Sequence, residues 1–199
     1  MARTIGSDGE RTEAALRDAA LRLIARHGYE AVSMRRLADE VGVQAAALYR
    51  YFPTKEDLLF TLMREHMEEL VASWAALSEA EADPRDQLAA FVRNHIAFHL
   101  ARRSSTHVNN LELRSLAPER LRRIVALREA YEKELRAILQ RGADARVFDV
   151  EDAALVAMAI IQMITGVIVW FRPDERLSID DVTERYLTMT LRLAGANKT

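Results

Sequence analysis

Between Gly42 and Leu58 the chain sets two phenols, Tyr49 and Tyr51, and two cations, Arg50 and Lys55, behind a start of small residues, Ala45 and Ala46, that follows Gln44. Hydroxyls that donate and side chains that carry positive charge suit phosphate oxygens, and a helix that starts with small residues can approach a surface closely. Alanines add only apolar contact, for instance to a thymine methyl, so few groups here can read base edges. Val43, Ala47, Leu48 and Phe52 recur at the spacing of one helical face and can pack inward. Gln44, Ala45, Ala46, Tyr49, Arg50 and Tyr51 are then left to face outward.

The neighbouring elements can hold such a helix in place. Ser33 to Val41 forms a short amphipathic helix with Met34, Leu37, Ala38 and Val41 on one side and Ser33 as its cap, and Gly42 makes the tight turn after it. A longer helix from about Glu10 to His27, with Leu16, Ala19, Ala20, Leu23 and Ile24 in a stripe, gives the pair its base, and Tyr29 and Val32 close the small core. Met1 to Gly9 is expected to be an arm, in which Arg3 could touch DNA.

Beyond Pro53, the Thr54–Asp57 pair caps a helix from Lys55 to about Leu77, expected as the only covalent path out of the head. Asp83-Pro84 opens a helix to about Arg102, Ser104 to Leu113 forms a shorter one, and Pro118 starts a long one that Gly142 stops. Ala153 to Phe171 carries no charge, which is long enough to raise the question of a membrane span. Basic flanks are missing and Gln162, Thr165 and Gly166 interrupt it, so burial on all sides, against a cavity and a partner subunit, is expected instead. Pro173 stops this helix, and Ser178 with Asp181 caps a last one from Ile179 to about Leu193.

Half the residues are hydrophobic, with only 7 Gly and 4 Pro and no Cys, so the expected fold is all-α, about nine helices, without disulfides or thiolate metal sites. The expected division is a head at residues 1–54 and a larger domain at 55–199. Net charge is −2, which alone does not point to nucleic acid; the placement of the head's cations does. No apolar signal-peptide core follows Met1, and a cytoplasmic location is expected.

His27-Gly28-Tyr29, Val32-Ser33-Met34, LADEVGV and LYRYFPTKEDLL, in this order and spacing, resemble the TetR family of transcriptional repressors. The resemblance implies phosphate contacts from Tyr49, Tyr51, Lys55 and Ser33, and a base-edge role for Arg35, whose guanidinium can pair with guanine. It implies a homodimer on a palindromic operator, with recognition helices roughly 34 Å apart. The stretches LELRSLAPERLRRIVALREAYEKELRAIL and VWFRPDERLS further resemble the subgroup governing fatty-acid, branched-chain and steroid catabolism, which implies an acyl-CoA thioester as effector and no other cofactor.

Met63, Met67, Trp74, Phe91, Phe98, Leu111, Tyr131, Ile161 and Trp170 could line an elongated apolar cavity, with His95 as a polar group in it. Arg114 and Arg172, among other arginines, could meet phosphates at its mouth. Leu155, Met158, Gln162, Tyr186, Met189 and Leu193 are the expected dimer surface, and Val182 and Thr190 belong to the same stripe of the last helix. His95 and His99 stand one turn apart, a spacing that fits a metal, but two ligands without a third make no site. No nucleophile elbow, phosphate loop or paired-acid pattern points to catalysis. Glu65, Glu68 and Glu112 keep open a regulator that answers cationic drugs, and a ligand-independent DNA-binding or interaction protein remains a further reading.

Overall fold

The computed structural model describes residues 5–78, 83–172 and 176–196, so the roles expected of Arg3 and Pro173 fall outside the described residues. Within them the regular structure is helical: α1 (Ile5–His27), α2 (Met34–Val41), α3 (Ala45–Tyr51), α4 (Lys55–Ala75), α5 (Pro84–Ala101), α6 (Arg103–Leu111), α7 (Pro118–Asp144), α8 (Ala153–Thr165), α9 (Val167–Trp170) and α10 (Ile179–Leu193). A single 3-10 turn, Leu113–Ser115, links α6 to α7. The all-α expectation of about nine helices holds, with the uncharged stretch broken at Gly166 into α8 and the one-turn α9. There the Gly166 N–H bonds Gln162 O at 3.1 Å while Val169 N–H closes the tighter loop onto Gly166 O.

Local capping chemistry sets the starts of α2, α4, α5, α8 and α10. Ser33 accepts from Arg36 N–H, Asp83 from Arg85 N–H, and Asp152 from Ala154 and Leu155 N–H. Thr54 with Asp57 and Ser178 with Asp181 bond reciprocally, each holding two backbone donors. Two boundaries differ from the sequence reading. α1 starts at Ile5 rather than near Glu10 and takes in Gly6 and Gly9, because each glycine in a helix costs only about 1 kcal/mol, which the packed stripe downstream outweighs. α7 runs through Gly142 to Asp144, and Arg146, at φ 60°, rather than Gly142 takes the left-handed conformation. Gly142 serves a different purpose: the Phe148 ring lies against its Cα, in the space a Cβ would need.

Two compact units emerge, Met1–His66 with Ser104–Ile124, and Met67–Arg103 with Val125–Thr199. The boundary does not coincide with residue 54. The start of α4 and the segment Ser104–Ile124 group with the head, so the chain passes between units three times, and α4 is one of three connections. In the first unit, α1 packs on α2 and α2 on α3 through buried Leu16, Ala20, Ile24, Leu37 and Leu48, with Tyr29, Val32 and Phe52 closing the core. In the second, α5 packs on α8, α9 and α10 through buried Phe91, Val92, Ile96, Ile160, Ile164 and Val167.

Candidate functional site

Gly42, at φ 73°, ends α2 in the left-handed conformation, and its N–H and that of Val43 return to the last carbonyls of α2. The chain thereby turns and starts α3 at Ala45. On α3, Leu48 is buried, Ala46, Tyr49 and Arg50 are exposed, Tyr49 by 50%, and Ala45 and Tyr51 are half-buried. Tyr49 is therefore not a core residue. Gln44 precedes the helix with an exposed amide that makes no capping bond. Arg35 is exposed on α2, as is Ser33, whose Oγ accepts the 3.2 Å capping bond from Arg36 N–H.

Lys55 opens α4 half-buried, with Nζ 3.9 Å from the centroid of the Tyr29 ring. Burial and the nearby Glu56 carboxylate push the Tyr29 hydroxyl up to about 12, so the ring under the ammonium stays a neutral phenol. The head thus presents amide, hydroxyl and cationic donors on one unit, an arrangement suited to binding an anion.

Sequence reasoning missed how Ser104–Ile124 grips this head. Glu112 Oε1 accepts from Tyr29 N–H at 3.0 Å, and the Ser115 hydroxyl donates to its Oε2 at 3.2 Å. Ala117 N–H donates to Glu56 Oε1 at 2.8 Å, and Arg120 pairs with Asp57 and with Glu56. Arg120 and Arg123 both lie over the Phe60 ring. These contacts join residues far apart in the chain, and periodicity carries no trace of them.

In the second unit, Trp74 meets Phe91 edge-on at 5.0 Å, Phe91 meets Tyr131 at 4.8 Å, and the Phe91 and His95 rings stack at 6.2 Å. His95 is buried, and its two ring nitrogens hydrogen-bond Tyr131 Oη at 3.3 Å and Thr165 Oγ1 at 2.8 Å. Burial pushes the Tyr131 hydroxyl up, so it stays protonated. Trp74 is 3% exposed, and its indole N–H has no acceptor among the described residues. Met67 and Phe98 are buried in the same unit, with the Arg102 guanidinium 4.1 Å from the Phe98 ring centroid.

Several residues expected to line one cavity lie elsewhere. Met63 is buried in the first unit, and in that unit Leu111 is 56% exposed and Arg114 also exposed. Ile161 is half-buried on α8. Trp170 is exposed, stacks on Tyr186 and donates to its hydroxyl at 3.1 Å. Arg172 donates to Val169 O and Phe171 O, closing the end of α9. Apolar type and helical phase gave these residues a face without saying what meets it.

The α8 helix is not buried all round: Ala153, Ala157, Ile160 and Ile164 face inward, whereas Leu155, Met158 and Gln162 are exposed. On α10, Met189 and Leu193 are exposed and Tyr186 half-buried, but Val182 and Thr190, placed in the same stripe by sequence, face the core. Ala153–Trp170 is long and apolar enough to cross a membrane by length and composition alone. Of the acidic residues that favoured a cationic drug, Glu65 pairs with Arg17 and Arg64, and Glu112 with the Tyr29 amide. No three metal-ligating side chains gather among the described residues.

A glycine-turned helix pair presenting tyrosine, arginine and lysine, followed by a helical unit with an aromatic interior, defines a one-chain DNA-binding regulator with a second, ligand-type domain. Family models match both parts: the tetR family of bacterial regulatory proteins over residues 16–62, and the tetracyclin repressor-like C-terminal domain over 81–194. The chain belongs to the TetR family of transcriptional regulators. It is 27% identical to the transcriptional repressor KstR2 of Rhodococcus jostii, covering 94% of this chain and 92% of that protein. It is also 27% identical to the fatty acid metabolism regulator protein of Bacillus subtilis, over 81% and 84%. A solved tetR-family regulator from Rhodococcus RHA1 superposes with a TM-score of 0.89 at 29% identity, over 94% of this chain and 98% of that one. AibR in complex with isovaleryl coenzyme A and operator DNA shares the fold, at 24% identity and a TM-score of 0.81 over 94% and 100%.

His99 stacks on His95 at 4.0 Å and donates from Nδ1 to the His95 carbonyl. Burial, aided by the charges of Arg128 and Arg102, lowers its pKa from 6.5 to about 4. Between those values the unfolded chain holds more protons than the folded one, so stability rises with pH there. The contribution present above pH 6.5 is lost as pH falls toward 4, about 3 kcal/mol in all. Urea melts from pH 7 to 4.5 are expected to lose stability less steeply for His99→Phe than for the wild type; equal slopes would refute the assignment.

Proposed function

We propose that the protein is a cytoplasmic homodimeric repressor that releases a palindromic operator when an acyl-CoA thioester binds in its second unit. Residues 1–54 are its DNA-reading part and residues 55–199 its effector and dimer part. Tyr49, Tyr51, Arg50, Lys55 and Ser33 hold phosphates, Arg35 and Gln44 read bases, and Ala45 and Ala46 allow close approach. Names of relatives that point to fatty-acid metabolism, and the isovaleryl coenzyme A bound by AibR, support the effector class.

One observation carries the reading at the residue level: Trp74 Nε1, a buried indole donor packed edge-on against Phe91, has no acceptor among the described residues. Such a group costs about 1–3 kcal/mol unless satisfied, and a carbonyl on an apolar effector inserted beside it would accept its bond. Trp74 lies on α4, the same helix that Lys55 opens, so an effector that displaces Trp74 acts on the helix carrying a phosphate contact. A ten-fold preference of effector for the released arrangement supplies about 1.4 kcal/mol of bias.

The chain holds 2 Trp, so Trp170→Phe leaves Trp74 as the sole indole reporter. Titration with acyl-CoAs of increasing length, free acids and cationic drugs is expected to change Trp74 emission and release operator for the thioesters. Release by cationic drugs alone, with no thioester altering emission, would sink the proposal.

A further inference from the structure

We infer that Glu112 is a positioning residue for operator binding: it fixes Tyr29, whose ring in turn holds the Lys55 ammonium where a phosphate oxygen can meet it. The inference rests on the proposed phosphate role of Lys55.

The geometry begins at the end of α1. Gly28, at φ 80°, terminates that helix in the left-handed conformation with its own N–H on Ile24 O at 2.8 Å. In the common glycine termination the next N–H also returns to its helix. Here the Tyr29 N–H goes instead to the Glu112 carboxylate, 83 residues away, at 3.0 Å. The Ser115 hydroxyl holds the second carboxylate oxygen, which fixes the plane of the group. Tyr29 is therefore held at its backbone by a charge-assisted bond and at its ring by burial in the head core.

Lys55 uses that ring, its Nζ lying 3.9 Å from the centroid. A cation resting on a ring face keeps its remaining N–H donors directed away from the ring, toward any anion beyond. A lysine held this way loses less rotamer freedom on meeting a phosphate than one swinging on a free four-carbon stem. Loss of the Glu112 acceptor leaves the Tyr29 N–H without its partner and frees the turn that carries the ring. Glu112 sits between α6 and the start of α7, in the segment the first unit draws from the middle of the chain, with its carboxylate turned to the Tyr29 N–H and the Ser115 hydroxyl.

The salt dependence of duplex binding tests this, because a slope counts phosphate contacts and does not change with the fraction of protein that is folded. The probe is a duplex selected from a random library by the wild-type protein. Lys55→Ala is expected to lower the slope by about 1. Glu112→Ala, and Glu112→Asp with its charge kept but its reach shortened, are expected to lower it by a similar amount. Glu112→Gln keeps an acceptor oxygen and is expected to retain the wild-type slope, although it too removes the charge. The double variant Glu112→Ala/Lys55→Ala is expected to match Lys55→Ala alone. If Lys55→Ala lowers the slope while Glu112→Ala and Glu112→Asp do not, the positioning role is overturned and the phosphate role of Lys55 stands. A wild-type slope in Lys55→Ala overturns both. A fall in Glu112→Gln equal to that in Glu112→Ala overturns the role of the acceptor.

Discussion

Gly142→Ala is expected to lower stability by about 2 kcal/mol, although alanine is the better helix former. Gly142 lies inside α7, where exchanging glycine for alanine ordinarily gains up to about 1 kcal/mol. Against that gain stands the Phe148 ring, which occupies the place of the new methyl group: a Cβ at residue 142 would come within 2.8 Å of the ring Cγ and nearer still to two other ring carbons. The ring cannot retreat cheaply. Phe148 is buried, and the N–H groups of Val147 and Phe148 both bond the Gly142 carbonyl, at 2.8 and 3.0 Å, tying the ring to the residue it would have to leave. For a chain of this size the loss corresponds to a melting temperature lower by about 4–8 °C. Calorimetry of Gly142→Ala beside Gly142→Ala/Phe148→Leu checks the cause, since the smaller side chain should restore part of the loss. A melting temperature equal to or above wild type would show that the turn after α7 shifts freely.

The same glycine shows where sequence reasoning stops. A glycine near the end of a helical run is commonly a left-handed stop, and Gly42 is one, at φ 73°. Gly142 has the same local signature and a different job, because what excludes a side chain there is a ring six residues on. Caps were legible for the reason that Ser33, Thr54 with Asp57, and Ser178 with Asp181 act on backbone donors within one turn. The inward faces of α1 and α2 were legible from periodicity alone. Trp74, Phe91 and Tyr131, expected to line a cavity, are buried, whereas Leu111 and Trp170, of the same apolar character, lie at the surface. Glu112 looked like a pocket acid and instead holds the Tyr29 amide. Pairings of that range depend on how helices assemble, which no window of local residues encodes.

Met158→Glu is expected to turn the proposed dimer into a monomer and to weaken operator binding about 100-fold or more. The argument starts from α8, whose inward residues Ala153, Ala157, Ile160 and Ile164 already satisfy the core of the second unit. The opposite face is nevertheless apolar: Leu155 is 59% exposed and Met158 47%, and Val169, Met189 and Leu193 add to the exposed large hydrophobic residues of the same unit. Several exposed apolar side chains on one unit suit an interface between copies, and a carboxylate among them would have to be desolvated there without a partner. Gln162, on the same face, can hydrogen-bond across a two-fold axis and so favours one register. Each head of a TetR-family dimer meets its own half-site, and a monomer loses the linkage that makes the second contact intramolecular. Sedimentation velocity gives the mass and a filter-binding titration the affinity. A dimeric Met158→Glu protein with unchanged operator affinity would move the interface away from α8, while a monomer that still binds as tightly as wild type would mean that the two half-sites are read independently.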